Sequence, residues 1–138
     1  MNSIEETLNR YRPNMLSIFR LVVGLLFLQH GIQKWFGIPS INPAYANIQF
    51  LSMAGIAGVI EIICGSLVAT GLFTRYAAFI ASGEMAVSYW IYSNRMARGF
   101  APLTNGGTLE VMYCFAFLYL VFAGAGVWSL DALFRKRP

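Results

Sequence analysis

Four apolar segments occupy most of this 138-residue chain, and each is close to the length that a helix needs to cross a bilayer. They run approximately over residues 15–36, 50–73, 76–93 and 109–130. Because lipid cannot satisfy exposed backbone hydrogen bonds, such segments predict an all-α fold, namely an integral membrane four-helix bundle formed as one domain by residues 15–138. Residues 1–14 are polar and are expected to form a cytoplasmic N-terminal segment, with Pro13 opening the first helix.

The composition and the distribution of charge also indicate a membrane protein. Hydrophobic residues make up 57% of the chain and charged residues 12%, against roughly 25% charged in soluble domains. The net charge is +4, and the lysines and arginines lie at the ends of the apolar segments without forming a basic face of the kind that binds nucleic acid. We therefore predict that the chain is surrounded by the lipid bilayer and has no nucleic-acid partner. One side of the membrane is expected to carry Arg10, Arg12, Arg20, Arg75, Arg135, Lys136 and Arg137, and the other Lys34, Arg95 and Arg98. The positive-inside rule then places both termini in the cytoplasm.

Two glutamates lie near the centres of apolar segments, Glu61 in the second and Glu84 in the third. A carboxylate in hydrocarbon costs several kcal/mol unless it is protonated, paired or facing a polar cavity. At about 1.5 Å of rise per residue, both lie roughly 15 Å from the outer ends of antiparallel helices, so they reach the same depth. We predict a polar site inside the bundle where these groups bind a ligand or exchange protons. The alternative is that they only join helices through hydrogen bonds.

Further polar residues indicate a path to this site from the outer surface. His30 and Lys34 are four positions apart and therefore share one face of the first helix. By the same rise per residue, His30 lies roughly 9 Å below the outer surface, and Lys34 and Glu110 lie within about 3 Å of it. The candidate ligand-binding or proton-exchanging residues are His30, Lys34, Glu61, Glu84 and Glu110.

The chain contains no recognisable motif for a redox cofactor. With a single histidine, it cannot build a haem or metal site from several imidazoles, and no metal is expected. Cys64 and Cys114 are predicted to differ in depth by about 10 Å, which is too far for a disulfide. Phosphate loops, dinucleotide fingerprints and nucleophile triads are absent from the sequence. Electrons for any redox reaction would have to come from a partner protein.

Three stretches of the chain resemble the DoxX family of small bacterial membrane proteins. The stretches are RLVVGLLFLQHGIQKWFG, GVIEIICGSLVATGLFTRYAA and APLTNGGTLEVMYCFAFLYLVFAGAGVWSLDAL, the last ending in Gly124, Gly126, Ser129, Leu130 and Asp131. The resemblance extends from Leu16 over nearly the whole chain and implies a four-helix, multi-pass protein of the bacterial inner membrane. Family members often read NGGE at the start of the last helix, whereas this chain has NGG followed by Thr108, with the acid at Glu110. Two positions turn a helix by about 200°, so the family pattern assigns no role to Glu110.

The resemblance also implies a function. The family takes its name from association with a terminal quinol oxidase and a thiosulfate:quinone oxidoreductase. It therefore implies a subunit that binds a quinone or similar lipid-soluble ligand and works with redox partner proteins, as a monomer or a homo-oligomer, and with catalytic activity left open. One alternative is a proton-coupled transporter of small molecules, although small multidrug transporters carry their glutamate in the first helix, where this chain has none. The other alternative is a structural membrane subunit without chemistry of its own.

Overall fold

The computed structural model describes residues 2–91 and 96–135, and within these ranges it is helical with no β-strand. The helices are α1 (Ser3–Phe36), α2 (Met53–Thr70), α3 (Thr74–Ile91), α4 (Pro102–Asn105), α5 (Thr108–Ala123) and α6 (Leu130–Arg135), with 3-10 turns at Pro43–Tyr45 and Met96–Arg98. Helix α1 packs along α2 and α3 packs along α5, while α2 also contacts α3. The all-α prediction is confirmed. The predicted charges Arg95, Lys136 and Arg137 and the end of the third predicted segment lie outside the described residues.

Helix α1 begins at Ser3, so the prediction that Pro13 opens the first helix is wrong. At its start the backbone N–H of Asn2 donates to the Glu5 carboxylate over 3.3 Å, as in a capping box. Pro13 lies inside the helix, where it cannot donate a backbone hydrogen bond. The turns that precede Met15 are exposed, so water can replace that missing bond. The polar N-terminal residues therefore extend the first helix instead of preceding it.

Glycines allow α1 and α2 to approach closely. A Cβ on Gly65 would lie 2.6 Å from the backbone nitrogen of Leu28, and a Cβ on Gly31 would lie 2.7 Å from the carbonyl oxygen of Gly58. Both distances are too short for any larger residue. The contacts recur at matched intervals along the two antiparallel helices, so they fix which residues of α1 and α2 face each other. They bring the end of α1 beside Gly58.

Apolar side chains form both the core and the outer surface. Phe27, Val68, Phe117 and Leu120 are fully buried, and the rings of Phe27 and Phe117 meet edge to face at 4.7 Å. Large apolar residues are also exposed along the outside of the helices, among them Leu25, Leu26, Ile63, Phe79 and Phe115. Among the described helices, α1 and α2 are long and apolar enough to cross a membrane, and α5 is a shorter apolar helix. An exposed apolar surface of this extent suits lipid better than water.

Arg20 is buried in α1, with only 3% of its surface exposed. Its guanidinium donates from Nε to the carbonyl of Ala125 (2.8 Å) and from Nη2 to that of Trp128 (2.6 Å). Its Nη1 donates to the carbonyls of Val68 (2.7 Å) and Ala69 (2.5 Å) at the end of α2. Arg20 therefore joins α1, α2 and the segment that follows α5. This set of bonds is called the Arg20 junction below.

The predicted last helix, 109–130, is interrupted. Helix α5 ends at Ala123, and the chain turns at Gly124 and Gly126, whose φ angles of 84° and 78° favour glycine. The carbonyls of Val121 and Phe122 near the end of α5 accept hydrogen bonds from Arg75. Because these carbonyls have hydrogen-bond partners, the helix can end while the apolar sequence continues.

Residues 96–107 are fixed against α3 by Asn105, which is 1% exposed. The Asn105 amide donates to the Tyr89 hydroxyl (3.0 Å) and to the carbonyl of Gly99 (3.1 Å), and its oxygen accepts from the backbone N–H of Gly107 (2.8 Å). Because Gly107 immediately precedes α5, these bonds set where that helix begins. They thereby set the position of Glu110 in its first turn.

Asp131 in α6 holds the start of α3. Its carboxylate accepts hydrogen bonds from the backbone N–H groups of Phe73 (2.8 Å) and Thr74 (2.9 Å). Burial raises the pKa of Asp131, but these hydrogen bonds and the charge of Arg135 outweigh it, so the pKa lies below the ordinary value for aspartate. The contribution of the carboxylate to stability is therefore present at neutral pH and is lost as the pH falls below about 4, through the folded-state pKa.

We expect Asp131→Asn to lower the free energy of unfolding by about 1 kcal/mol at neutral pH, since an amide offers one acceptor oxygen where the carboxylate offers two. The measurement is thermal unfolding of purified protein from pH 7 down to pH 3. The difference from wild type should shrink as the acid protonates Asp131. Glu6→Gln removes an exposed carboxylate and serves as the control. A difference that is independent of pH would contradict this account.

Candidate functional site

A cavity of about 240 Å³ lies among the helices, at the end opposite the Arg20 junction, and is called the polar cavity below. Four of the five predicted site residues line it: His30 and Lys34 from α1, Glu61 from α2 and Glu110 from α5. The loop between α1 and α2 covers part of the cavity through Asn42 and Tyr45. With Met85 and Ser88 from α3, the structure gathers residues from four helices and one loop around a single space.

Lys34 and Glu61 form a buried ion pair in this cavity. The Lys34 Nζ lies 2.8 Å from the Glu61 Oε1, and the two side chains are 11% and 4% exposed. The prediction that Lys34 lies near the surface and Glu61 far below it is wrong. Helix α2 begins at Met53 and extends past the end of α1, so Lys34 lies beside Gly58, less than one turn from Glu61. Desolvation of two charges is costly, and their mutual attraction offsets that cost only while both are present.

One oxygen of this pair remains available to a ligand. Glu61 Oε2 is buried and, among the residues that the structure describes, has no hydrogen-bond partner. A buried acceptor without a donor costs free energy, which a donor entering the cavity would recover. The ion pair therefore offers both a cation and an acceptor for a hydrogen bond.

Aromatic rings complete the polar cavity. The ring of His30 meets that of Tyr113 edge to face, with 5.8 Å between centroids, and the Lys34 ammonium lies 5.7 Å from the centre of the Tyr45 ring. A neutral imidazole has one donor and one acceptor nitrogen. The polar cavity therefore combines a cation, an acceptor oxygen without a partner among the described residues, and aromatic rings.

Glu84, the fifth predicted residue, lines a different space. This second cavity, of about 310 Å³, lies between α2 and α3 and is mostly apolar. Glu84 Oε2 is buried and has no hydrogen-bond partner within the described part of the chain. Lys34 and Ser88 line both cavities, and Glu84 interacts electrostatically with Glu61 and Lys34. The two glutamates are thus neighbours in adjoining cavities and do not share one.

Several residues that line the polar cavity are not predicted from the sequence, among them Asn42, Tyr45, Ser88 and Tyr113. Tyr113 is three residues after Glu110 and so shares its helix face, a spacing that could have identified it. Ser88 is likewise one turn from Glu84 on α3. Asn42 and Tyr45 lie in a loop, where no helical periodicity indicates which side chains face the cavity. Cys64 and Cys114 are both free thiols, as predicted.

Fold and site together define a class: an all-helical membrane protein with a charged cavity among its helices. The chain belongs to the DoxX family, whose model matches residues 15–94, which confirms the resemblance seen in its motifs. This match includes His30, Lys34, Glu61 and Glu84, and Glu110 lies beyond it. The first three of these residues are the ones that meet in the polar cavity through α1 and α2.

Curated relatives match the chain over most of its length. A protein of Haemophilus influenzae described as uncharacterized is 41% identical over 139 residues, covering 99% of this chain and 100% of the relative. A protein of Mycobacterium tuberculosis described as an uncharacterized membrane protein is 31% identical over 137 residues, covering 91% of this chain and 83% of the relative. No solved structure matches. The chain thus shares its family and its membrane character with these relatives.

Proposed function

We propose that the chain binds a quinone, or a similar small lipid-soluble carbonyl compound, in the polar cavity and supports its reduction or oxidation by a partner protein. The observation that carries this proposal is the buried Lys34–Glu61 pair in a polar cavity that adjoins an apolar one. The two cavities together fall within the range of about 300–1,000 Å³ usual for ligand sites. Their mixed lining suits a molecule with a polar head and an apolar body.

The proposal includes a topology. Helices α1, α2, α3 and α5 would each cross the bacterial inner membrane, forming a four-helix bundle with both termini in the cytoplasm. Arg75 and Arg135 lie at the end of the Arg20 junction, near Pro13, whereas Lys34 and Arg98 belong to the other end of the chain's helices. This division of positive charge supports a cytoplasmic Arg20 junction and a polar cavity near the outer side.

The chemistry assigned to this chain is binding and proton exchange. Conversion of a quinone to a quinol takes two electrons and two protons. The electrons would come from a redox partner protein. The Lys34 ammonium would donate a hydrogen bond to a carbonyl oxygen, and His30 and Glu61 would deliver or accept protons. Glu84 would pass protons to the same site from the adjoining cavity.

Quinone binding by purified protein tests the proposal. The probe is 2,3-dimethoxy-5-methyl-1,4-benzoquinone, which has no tail, with the protein held in lipid nanodiscs and binding measured by equilibrium dialysis. We expect Glu61→Gln to weaken binding on the order of tenfold, because the Lys34 ammonium, which would donate to the quinone carbonyl, loses the carboxylate that positions it. Glu84→Gln is expected to have a smaller effect, since Glu84 lies outside the polar cavity.

Glu6→Gln makes the same chemical change at an exposed position of α1 and should leave binding at the wild-type value. Equal binding by wild type and both site variants would remove the carboxylates from the proposal. Transport of organic cations driven by a pH gradient, with no quinone binding, would indicate a transporter instead. Loss of a partner protein on deletion, with no effect of either substitution, would indicate a structural subunit.

A further inference from the structure

The apolar cavity beside Glu84 is a groove that runs along two helices and opens to the outside. On α2 it is lined by Met53, Ile56 and Ile60, and on α3 by Ile80, Glu84 and Val87. Both sets recur at intervals of three and four residues, so each forms one continuous row on its helix. Ile56, Ile80 and Val87 are 47–51% exposed, so the groove faces the surroundings of the protein along its length. It is called the α2–α3 groove below.

The α2–α3 groove joins the polar cavity. Lys34 and Ser88 line both spaces, so a molecule can extend from one into the other at this point. Room for it is visible at Gly83, where an added Cβ would meet no atom within 4 Å. The polar cavity holds the charged groups, whereas most of the groove lining is aliphatic. The combined space therefore changes from polar to apolar along its length.

We propose that the α2–α3 groove holds the hydrocarbon tail of the ligand whose head group occupies the polar cavity. This inference rests on the proposed function. The ligand class is then a membrane-resident quinone with a prenyl or alkyl tail that enters from the bilayer between α2 and α3. A water-soluble quinone would leave the groove without an occupant. The head passes Ser88 to reach Lys34, and the tail remains between the two rows of side chains.

The size of the groove favours a hydrocarbon tail over a helix of another protein. Each lining row extends over eight residues, or about 10 Å of helix. A volume of about 310 Å³ over this length corresponds to a cross-section of roughly 30 Å². That is wide enough for one hydrocarbon chain, whereas a helix with its side chains is about 10–12 Å wide. Continuity with the polar cavity favours the tail of the same ligand over the chain of an unrelated lipid.

The test compares two probes in nanodiscs, the tailless benzoquinone used above and the same head group with a decyl tail. In Gly83→Phe an aromatic ring fills the groove, and we expect roughly tenfold weaker binding of the decyl probe with unchanged binding of the tailless one. Gly83→Ala is the matched control, because it makes the same change of backbone freedom and leaves the groove open. It should bind both probes as the wild type does.

If Gly83→Phe fails to fold, Ile56→Trp fills the groove from α2 and is read in the same way. Equal effects on both probes, or no effect on either, would overturn the groove assignment. The proposed function fails separately, if the tailless probe does not bind wild type at all. The remaining outcome is that binding of the tailless probe depends on Glu61 while binding of the decyl probe is insensitive to Gly83→Phe. That result would refute only the tail site and leave the proposed function in place.

Discussion

Replacing Arg20 by methionine is expected to lower the free energy of unfolding by about 3–5 kcal/mol. The side chain is 3% exposed and donates to four carbonyls, two at the end of α2 and two in the segment that follows α5. Methionine fills a similar length but donates nothing, so these buried carbonyls lose their charged partner. The ends of α2 and α5 would then be joined to α1 mainly by apolar packing, which contributes little specificity inside a bilayer.

Thermal unfolding can be followed by a thiol-reactive dye, since Cys64 is buried and free in the folded protein. The stability of Arg20→Lys should fall between that of Arg20→Met and that of the wild type, because one ammonium cannot donate to all four carbonyls as the planar guanidinium does. Arg12→Met removes an exposed arginine from the same helix and should unfold at the wild-type temperature. Wild-type stability of Arg20→Met would refute the structural role of the Arg20 junction.

The ends of the helices show where prediction of the fold from sequence stops. Apolar length correctly indicates α2 and α3, because a run of about 20 apolar residues has few other solutions in lipid. Apolar length does not predict the start of α1 at Ser3, because there the helix includes polar residues that water can solvate. It is wrong again at Gly124, where the helix stops inside an apolar run. Both errors arise because the ends depend on capping groups, such as Glu5 and Arg75, rather than on hydropathy.

In the candidate site, too, some features can be predicted from the sequence and others cannot. Spacing of four residues places His30 and Lys34 on one face, and the cost of a charge in lipid identifies Glu61, all from the sequence alone. Their partnership depends on how far α2 extends past α1, which the glycine contacts and residues 37–52 determine. Counting depth from the ends of predicted helices cannot recover that offset. For this reason the ion pair is found only in the structure.

Replacing Lys34 by methionine is expected to lower the free energy of unfolding by about 3–5 kcal/mol, an effect similar to that of the change at Arg20. It is also expected to abolish quinone binding. Glu61 is 4% exposed, so removal of its partner leaves a buried carboxylate without a counter-charge. The chain must then either protonate Glu61 or open the cavity to water. Arg98→Met, which removes an exposed cation from the 3-10 turn Met96–Arg98, is the control and should change neither stability nor binding.

The double variant Lys34→Met/Glu61→Leu separates a structural role of the pair from a functional one. With both charges replaced by apolar groups of similar size, stability should return to within about 1 kcal/mol of wild type, because no uncompensated charge remains. Binding of the tailless benzoquinone should stay lost, since the Lys34 ammonium that would donate to its carbonyl oxygen is not restored. Recovery of both stability and binding would mean that the pair only holds α1 to α2. Recovery of stability alone assigns the two charges to the ligand, which is the outcome we expect.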